Sequence, residues 1–535
     1  MAYNNNIHDH RPSYAAMTVQ LFVALAAFRL VNAWLLQTQF DPDEYWQTLE
    51  PAYCLAFESP CAYTWEWTRK GGGEGWEFLW LGPIRSHLTV LPTYFFYKLL
   101  TLLPSSPSPW ILAKGPLFLH AVLVAAPTDY AVYSIAQPLS CSRWALFCSL
   151  SAWFHAYALV RTYSNAWETM LFMVGLALLA HGRAKGAFVL GGFSVAIRFS
   201  SLALWVPLGI LWSIHSSHKS QFIRHLLSPC ALYGLVGLVL SLLVDRLCFG
   251  YWVLPFLGNF YFNVVEGLGW IYGTHSWHWY ITQGLPAVLG FLLPLLLWDV
   301  LQNGCTAATL LLAVTLVLHS LSPHKEFRFL LPLVPLTCIP AGRVLQTLWH
   351  RRFLLTSMVF LHGLVVLYLG LLHQRAPLSI TRHLAQRPDA RVDFLTECHS
   401  TPLYSHGIKH ARYLDCSPSC RVTQTCESHG FVQDPLAFVK EHYYRQSINE
   451  QGEHLHLPVA NLPDNIVLFA KEAAVVHSTL MDLGYRVEKR FFHKLVGVDL
   501  FGLGHTPHEQ YYSHWNIAEG LDLWVDEMVL YSRRV

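Results

Sequence analysis

AAMTVQLFVALAAFRLVNAWLLQTQFDPDEYWQ, residues 15–47, runs from a largely apolar tract through the short segment Gln37-Thr38-Gln39-Phe40 into a cluster of carboxylates. The apolar part, residues 15 to about 36, is long enough to cross roughly 30 Å of hydrocarbon as an α-helix. A short segment with His8, His10 and Arg11 precedes it and no small-residue cleavage pattern closes it. It therefore reads as a retained signal anchor. Similar tracts of roughly 17–22 residues recur to about residue 372, about ten or eleven in all. The chain of 535 residues is 53% hydrophobic and only 13% charged, where soluble domains carry about a quarter charged residues. With 36 Lys and Arg against 34 Asp and Glu, it offers no basic face to nucleic acid and no acidic tail to a basic partner. The prediction is an α-helical polytopic membrane protein over residues 1–372, with transmembrane or re-entrant helices. From 373 to 535 the composition turns polar. There Ile466-Val467-Leu468-Phe469 reads as a buried strand and 473–483 as a helix, which gives a small α/β domain.

Lys and Arg collect in short loops at HGRAK (181–185), HSSHKSQFIRH (215–225) and HRR (350–352). If these are cytoplasmic, the loop 246–285, the tract around His324 and everything after 373 lie on the opposite, lumenal side. The 88–103 stretch is short and ends at Pro104, so it is expected to be interfacial or re-entrant. The tract 186–214 is too long for one span and carries Arg198 midway, which predicts two half-helices.

Carboxylates directly after a membrane helix need a reason. Pro42 can open a helix at its first turn, which places the following acids near its positive end, so an ordinary acidic cap is one reading of Asp41-Pro42-Asp43-Glu44. The other is a general base held at the membrane surface between two lipid-linked sugars. A carboxylate that takes a proton from an attacking sugar hydroxyl suits that role, and a phosphate leaves without acid help. One base then suffices, unlike the paired carboxylates of glycoside hydrolases.

Four motifs in order carry a resemblance. They are Pro42-Asp43-Glu44-Tyr45-Trp46-Gln47 with Glu50, Thr64-Trp65-Glu66-Trp67 and Arg85-Ser86; then Arg161-Thr162-Tyr163-Ser164-Asn165; then the run from Asp245 through Trp277-His278-Trp279-Tyr280 to Gln283-Gly284-Leu285-Pro286; and His324-Lys325-Glu326-Phe327-Arg328-Phe329. Together they resemble glycosyltransferase family 22, mannosyltransferases of the GT-C superfamily that use dolichyl phosphate mannose. The resemblance implies a GT-C fold and a first lumenal catalytic loop at 37–87. It places the base at Asp43, with Glu44 second and Asp41 third. It also implies substrate contacts from Trp46, Gln47, Glu50, Glu66, Arg161 and Asn165. Arg85 has two readings, a contact to a lipid phosphate or a structural ion pair with an acid. Some family members have His where Asp41 stands, and the segment 69–80 lengthens the loop before Arg85.

In the fourth motif, Lys325 and Arg328 stand three apart on one helical face and are expected to grip the donor phosphate, with His324 as a hydrogen-bond donor. Snorkelling at a helix end is the plainer alternative. In the aromatic loop, Trp277, His278 and Tyr280 are candidate sugar contacts, although interfacial girdles explain many such rings. The 29 histidines fall into no His-Glu-x-x-His or paired Cys-x-x-Cys pattern, so neither a metal nor a cofactor beyond the donor lipid is expected.

Glu397-Cys398-His399-Ser400-Thr401-Pro402, Tyr404-Ser405-His406 and Leu414-Asp415-Cys416-Ser417-Pro418 resemble the branch of the family that acts on glycosylphosphatidylinositol (GPI) precursors. That branch implies transfer of the third mannose, α1,2-linked, with inversion. It also implies a multi-pass protein of the endoplasmic reticulum membrane with a lumenal site. Its partners would be dolichyl phosphate mannose, the GPI precursor glycolipid and ER membrane lipids, and the protein itself would be a monomer. Cys398, Cys416, Cys420 and Cys426 allow three disulfide pairings, of which the resemblance favours Cys398–Cys416; Cys54 and Cys61 are close enough in sequence to bridge. A family member that acts on the dolichol-linked N-glycan precursor or adds a fourth GPI mannose is the nearest rival. A transporter or lipid scramblase is the remote one, disfavoured by the lack of inverted repeats.

Overall fold

The computed structural model describes residues 14–57, 61–68, 82–216, 226–348, 350–397, 399–448, 454–459, 461–500, 512–518 and 521–533. Among them, four helices are long and apolar enough to cross a membrane: Thr18–Leu35, Pro109–Ala136, Pro229–Phe249 and Arg352–Leu384. Tyr280–Leu289 and Leu292–Asn303 form a pair bent by 109° that together is as long and apolar as a span, broken or re-entrant, and five shorter apolar helices lie between these elements. The expected membrane body is therefore built from long, bent and short helices together. Leu91–Leu100, within the tract expected to be interfacial, has a proline in its first turn and only 10 residues, too few to span.

Charges and glycines fix how the helices meet. Arg198 has an extended backbone (φ −147°, ψ 115°) that separates Ala184–Ile197 from Leu202–Ser216. Its guanidinium reaches Glu168 at 3.1 Å, because an intramembrane charge must find a partner. Arg29 meets Asp129 at 2.6 Å in a fully buried pair, and Ser149 donates to the same carboxylate at 2.7 Å. A Cβ on Gly192 would lie 2.1 Å from the Gly234 carbonyl oxygen, and one on Gly237 would lie 2.2 Å from that of Val189. The helices Ala184–Ile197 and Tyr233–Phe249 thus pack backbone to backbone, as small residues permit where lipid supplies no hydrophobic drive.

After the last membrane helix the chain forms a mixed six-stranded sheet in the order β2-β1-β5-β8-β6, with β7 also paired to β8. The strands are β1 (Arg391–Phe394), β2 (His410–Tyr413), β5 (Asn465–Phe469), β6 (Tyr485–Leu500), β7 (Ser513–Ala518) and β8 (Leu521–Arg533); β3 (Tyr444–Ile448) and β4 (His454–Pro458) make a separate hairpin. Alternation along the strands builds two cores. Ile466, Leu468, Val529 and Tyr531 pack with Val476 and Leu480 of the helix Ala470–Asp482. Val467, Met528 and Leu530 face the other way and join Ile380 and Leu384 of the helix Ala376–Leu384 with Tyr45, Trp46 and Leu49. One face of the sheet is therefore packed directly on the carboxylate loop.

Candidate active site

The loop after the first helix is folded by its own polar atoms. Asp41 Oδ1 accepts the Asp43 N–H at 2.9 Å, and the Pro42 carbonyl accepts from Tyr45 and Trp46 at 3.0 and 3.1 Å. This opens the helical turn Tyr45–Leu49 and the helix Glu50–Phe57. Glu44 points inward. Arg161 Nη1 donates to both its oxygens at 3.0 Å and to the Thr38 carbonyl at 2.7 Å. Thr162 Oγ1 donates to the Glu44 carbonyl at 2.5 Å, and Thr48 Oγ1 to the Thr162 carbonyl at 2.7 Å. Both ends of the Glu44–Arg161 pair are buried. Its contacts bolt the loop to the chain around residue 161, so Glu44 and Arg161 anchor the loop.

Asp41 and Asp43 are different. Their side chains keep 26% and 27% exposure and share one guanidinium: Arg328 Nη1 lies 2.6 Å from Asp43 Oδ2 and 3.5 Å from Asp41 Oδ1. Glu326 takes the other edge of Arg328, with Nη2 donating at 2.8 Å, and His324 Nε2 meets Glu326 at 2.8 Å. Three carboxylates thus surround one nearly buried arginine, and their charges raise its pKa despite burial. Burial pushes Asp41 up to about 7 against the pull of Arg328, with the charges of Asp43 and Glu326 adding to the rise. Against the burial that would raise it, Arg328 and His324 hold Glu326 below the usual carboxylate range. Beside this cluster Arg85 donates to Glu66 Oε1 from Nη2 at 2.6 Å and from Nε at 3.1 Å.

The expected joint grip of Lys325 and Arg328 is not present. Lys325 Nζ turns away to the carbonyls of Ser322 and His275 at 2.5 and 3.1 Å. Its stretch of chain is not yet helical, since the 3₁₀ turn begins at Phe327, so a three-residue spacing does not put the two cations on one face. In the aromatic loop Tyr280 is buried, whereas Trp277 is 70% exposed. The Trp277 ring meets only His278 among the described ring contacts, and His278 bonds Thr282. Neither reaches the carboxylates, and an outward Trp suits a membrane interface. Asn165 is buried and accepts from Arg198 at 3.3 Å; Gln47 is buried in the loop helix.

Glu50 also has another task. Its carboxylate accepts the N–H groups of Leu403, Tyr404 and Ser405 at 2.8, 3.1 and 3.2 Å and the Ser405 hydroxyl at 2.8 Å. Trp46 Nε1 donates to the Thr401 carbonyl at 3.2 Å, and its ring lies 4.5 Å from His399 and 5.3 Å from Tyr413. The segment around 399–413 is thereby clamped onto the loop that holds Asp43. Cys54 is bonded to Cys61 and Cys420 to Cys426; the expected Cys398–Cys416 pairing lies outside the described residues. No group of three or more metal-ligating side chains occurs among the described residues.

Several neighbours of the cluster were not singled out from sequence. Glu326 shares Arg328 with the loop. Tyr163 and Phe329 both place rings 5.8 Å from the Arg328 guanidinium carbon. Tyr272 stands 5.9 Å from His324 and 5.7 Å from the Arg421 guanidinium carbon. A signal existed for one further pair: Glu168 and Arg198 are both charged within apolar tracts, and such charges pair.

Bent and broken membrane helices, an acid-bearing loop at their ends and a C-terminal sheet domain over it define an integral-membrane glycosyltransferase of the GT-C fold. Two solved structures share that fold over nearly the whole chain. ArnT from Cupriavidus metallidurans bound to undecaprenyl phosphate aligns over 96% of this chain and 98% of its own, with a TM-score of 0.54 at 12% identity; its apo state gives 0.52. The profile of the Alg9-like mannosyltransferase family matches residues 20–407, and the chain belongs to that family. Its curated relatives include mannosyltransferase APTG1 of Arabidopsis thaliana, 31% identical over 90% of both chains. The GPI alpha-1,2-mannosyltransferase 3 of Homo sapiens is 32% identical over 89% of this chain and 84% of its own. The GPI mannosyltransferase 3 of Yarrowia lipolytica is 30% identical over 90% and 94%.

Proposed function

We propose that this enzyme transfers the third mannose, α1,2-linked, from dolichyl phosphate mannose to a two-mannose GPI precursor at the lumenal face of the endoplasmic reticulum membrane. The likeness to relatives named GPI alpha-1,2-mannosyltransferase 3, along about nine tenths of the chain, carries the assignment. Asp43 is the general base. It takes the proton of the acceptor 2-hydroxyl as that oxygen attacks the mannosyl C1, the bond from C1 to the phosphate oxygen breaks, and dolichyl phosphate departs with the electron pair. A β-linked donor then gives an α product by one displacement. Arg328 positions Asp43, and Arg85, which spends Nε and Nη2 on Glu66, turns Nη1 to the donor phosphate.

Expression in cells lacking the third GPI mannosyltransferase tests both parts. Wild type is expected to restore GPI-anchored surface proteins, whereas Asp43→Asn, expressed and correctly located, leaves two-mannose GPI to accumulate. Failure of well-expressed wild type overturns the acceptor. Full rescue by Asp43→Asn overturns the base.

A further inference from the structure

Where the helix Arg352–Leu371 ends, the chain opens a cleft of about 640 Å³ whose lining includes Leu372, Arg375, Arg382, His383, Lys489 and Arg490 and no acidic residue. Two of these basic groups are engaged from outside it: His383 meets Glu488 at 2.7 Å and Arg490 meets Glu527 at 3.4 Å. The other three have no carboxylate partner among the described residues. Arg382 donates to the neutral amide of Gln37 at 3.2 Å, Lys489 lies 5.2 Å from the centre of the Phe491 ring, and Arg375 is exposed. Three uncompensated positive charges around one concavity repel one another unless an anion joins them.

The position says what kind of anion. Leu372 lies at the end of the apolar helix Arg352–Leu371, on which Leu361 and Val365 are also exposed. The spacings of four and seven put Leu361, Val365 and Leu372 on one stripe of the helix that leads into the cleft. The site therefore offers hydrocarbon below and cations above, within one lipid's length. It also adjoins the chain that leads to Asp41, since Arg382 reaches Gln37 and Gln39 donates to the Gln374 carbonyl at 3.1 Å.

We propose that this cleft binds the phosphate headgroup of an anionic glycerophospholipid, with the acyl chains laid along the stripe of Leu361, Val365 and Leu372. Guanidinium groups match phosphate oxygens in pairs, and Lys489 adds a point charge. The bound lipid braces the segment of residues 37–40 that leads into the carboxylate loop. The inference rests on the membrane reading of the helices; because a GPI acceptor also carries phosphatidylinositol, the loss of binding in the triple alanine variant, not binding by wild type alone, assigns the lipid to this cleft.

Native mass spectrometry of the full-length protein in detergent, with added phosphatidylinositol or phosphatidylcholine, tests it without measuring sugar transfer. Wild type is expected to retain phosphatidylinositol at least about tenfold over phosphatidylcholine, and each cation removed costs about fivefold. R375A/R382A/K489A therefore loses about a hundredfold, while R375K/R382K/K489R, which preserves charge, keeps most of the retention and controls for folding. Equal retention of the two lipids by wild type, or of phosphatidylinositol by wild type and the triple alanine variant, overturns the proposal. Displacement by millimolar inorganic phosphate as readily as by the lipid overturns the lipid occupant and leaves a free-phosphate site.

Discussion

Asp43 and Glu50 stand seven residues apart in one loop, and the protein treats their carboxylates in opposite ways. Glu50 is fully buried and receives four hydrogen bonds from a single turn of a distant segment. Asp43 is a quarter exposed and shares Arg328 with two other acids. A carboxylate whose lone pairs are all occupied is a fastener. One that keeps about a quarter of its side chain open beside a shared guanidinium leaves a side that another molecule can approach.

The sharpest way to break this comparison is to neutralise each acid in turn. Asp43→Asn is expected to lower turnover about 10²–10⁴-fold with the melting temperature nearly unchanged, assayed on purified protein with synthetic acceptor. Glu50→Gln is expected to give the reverse signature. Its amide nitrogen faces backbone donors, so it costs about 1–3 kcal/mol of stability, read as a drop in melting temperature and faster proteolysis around residue 400. A loss of melting temperature in Asp43→Asn as large as in Glu50→Gln would erase the distinction.

Asp41 sharpens it further through pH. Because burial lifts its pKa from the ordinary 3.8 to about 7 in the folded protein, the folded state binds the proton more tightly than the unfolded chain does. Wild-type stability from this group is present below about pH 4 and is lost as pH rises towards 7. The melting-temperature difference between Asp41→Asn and wild type should therefore grow in the variant's favour between pH 4 and 7 and level off above. A difference moving the other way would show that Arg328 outweighs burial at Asp41. The smallest effect belongs to Trp277→Ala, where less than about a threefold change in kcat is expected because the ring is exposed, as interfacial rings are; a larger loss, with KM raised, would support it as a sugar contact.

The acids of the site were legible because Asp41-Pro42-Asp43-Glu44 follows a membrane tract directly, where charge needs a purpose. Their division of labour was not. Glu44 and Asp43 are adjacent, and only the approach of Arg161 on one side and Arg328 on the other separates anchor from candidate base. Glu50 belonged to the same motif as its neighbours, and nothing in its spacing announces that its partners are backbone amides more than 350 residues away. The break at Arg198 was legible because a lone cation in an over-long apolar tract demands it. By contrast, the bulged pairing of β6 with β8 carries no clean two-residue alternation, so only the shorter β5 announced itself as a strand.

The place of β8 has a consequence in time. It lies between β5 and β6, and its Met528 and Leu530 pack in the same cluster as Tyr45, Trp46 and Leu49. During synthesis the carboxylate loop emerges early, yet the surface that holds it is complete only when β8 has been made and slotted into the sheet. Such distant pairings form late. A nascent chain therefore carries an unset loop for most of its translation, and the catalytic geometry is among the last things the ribosome's product acquires.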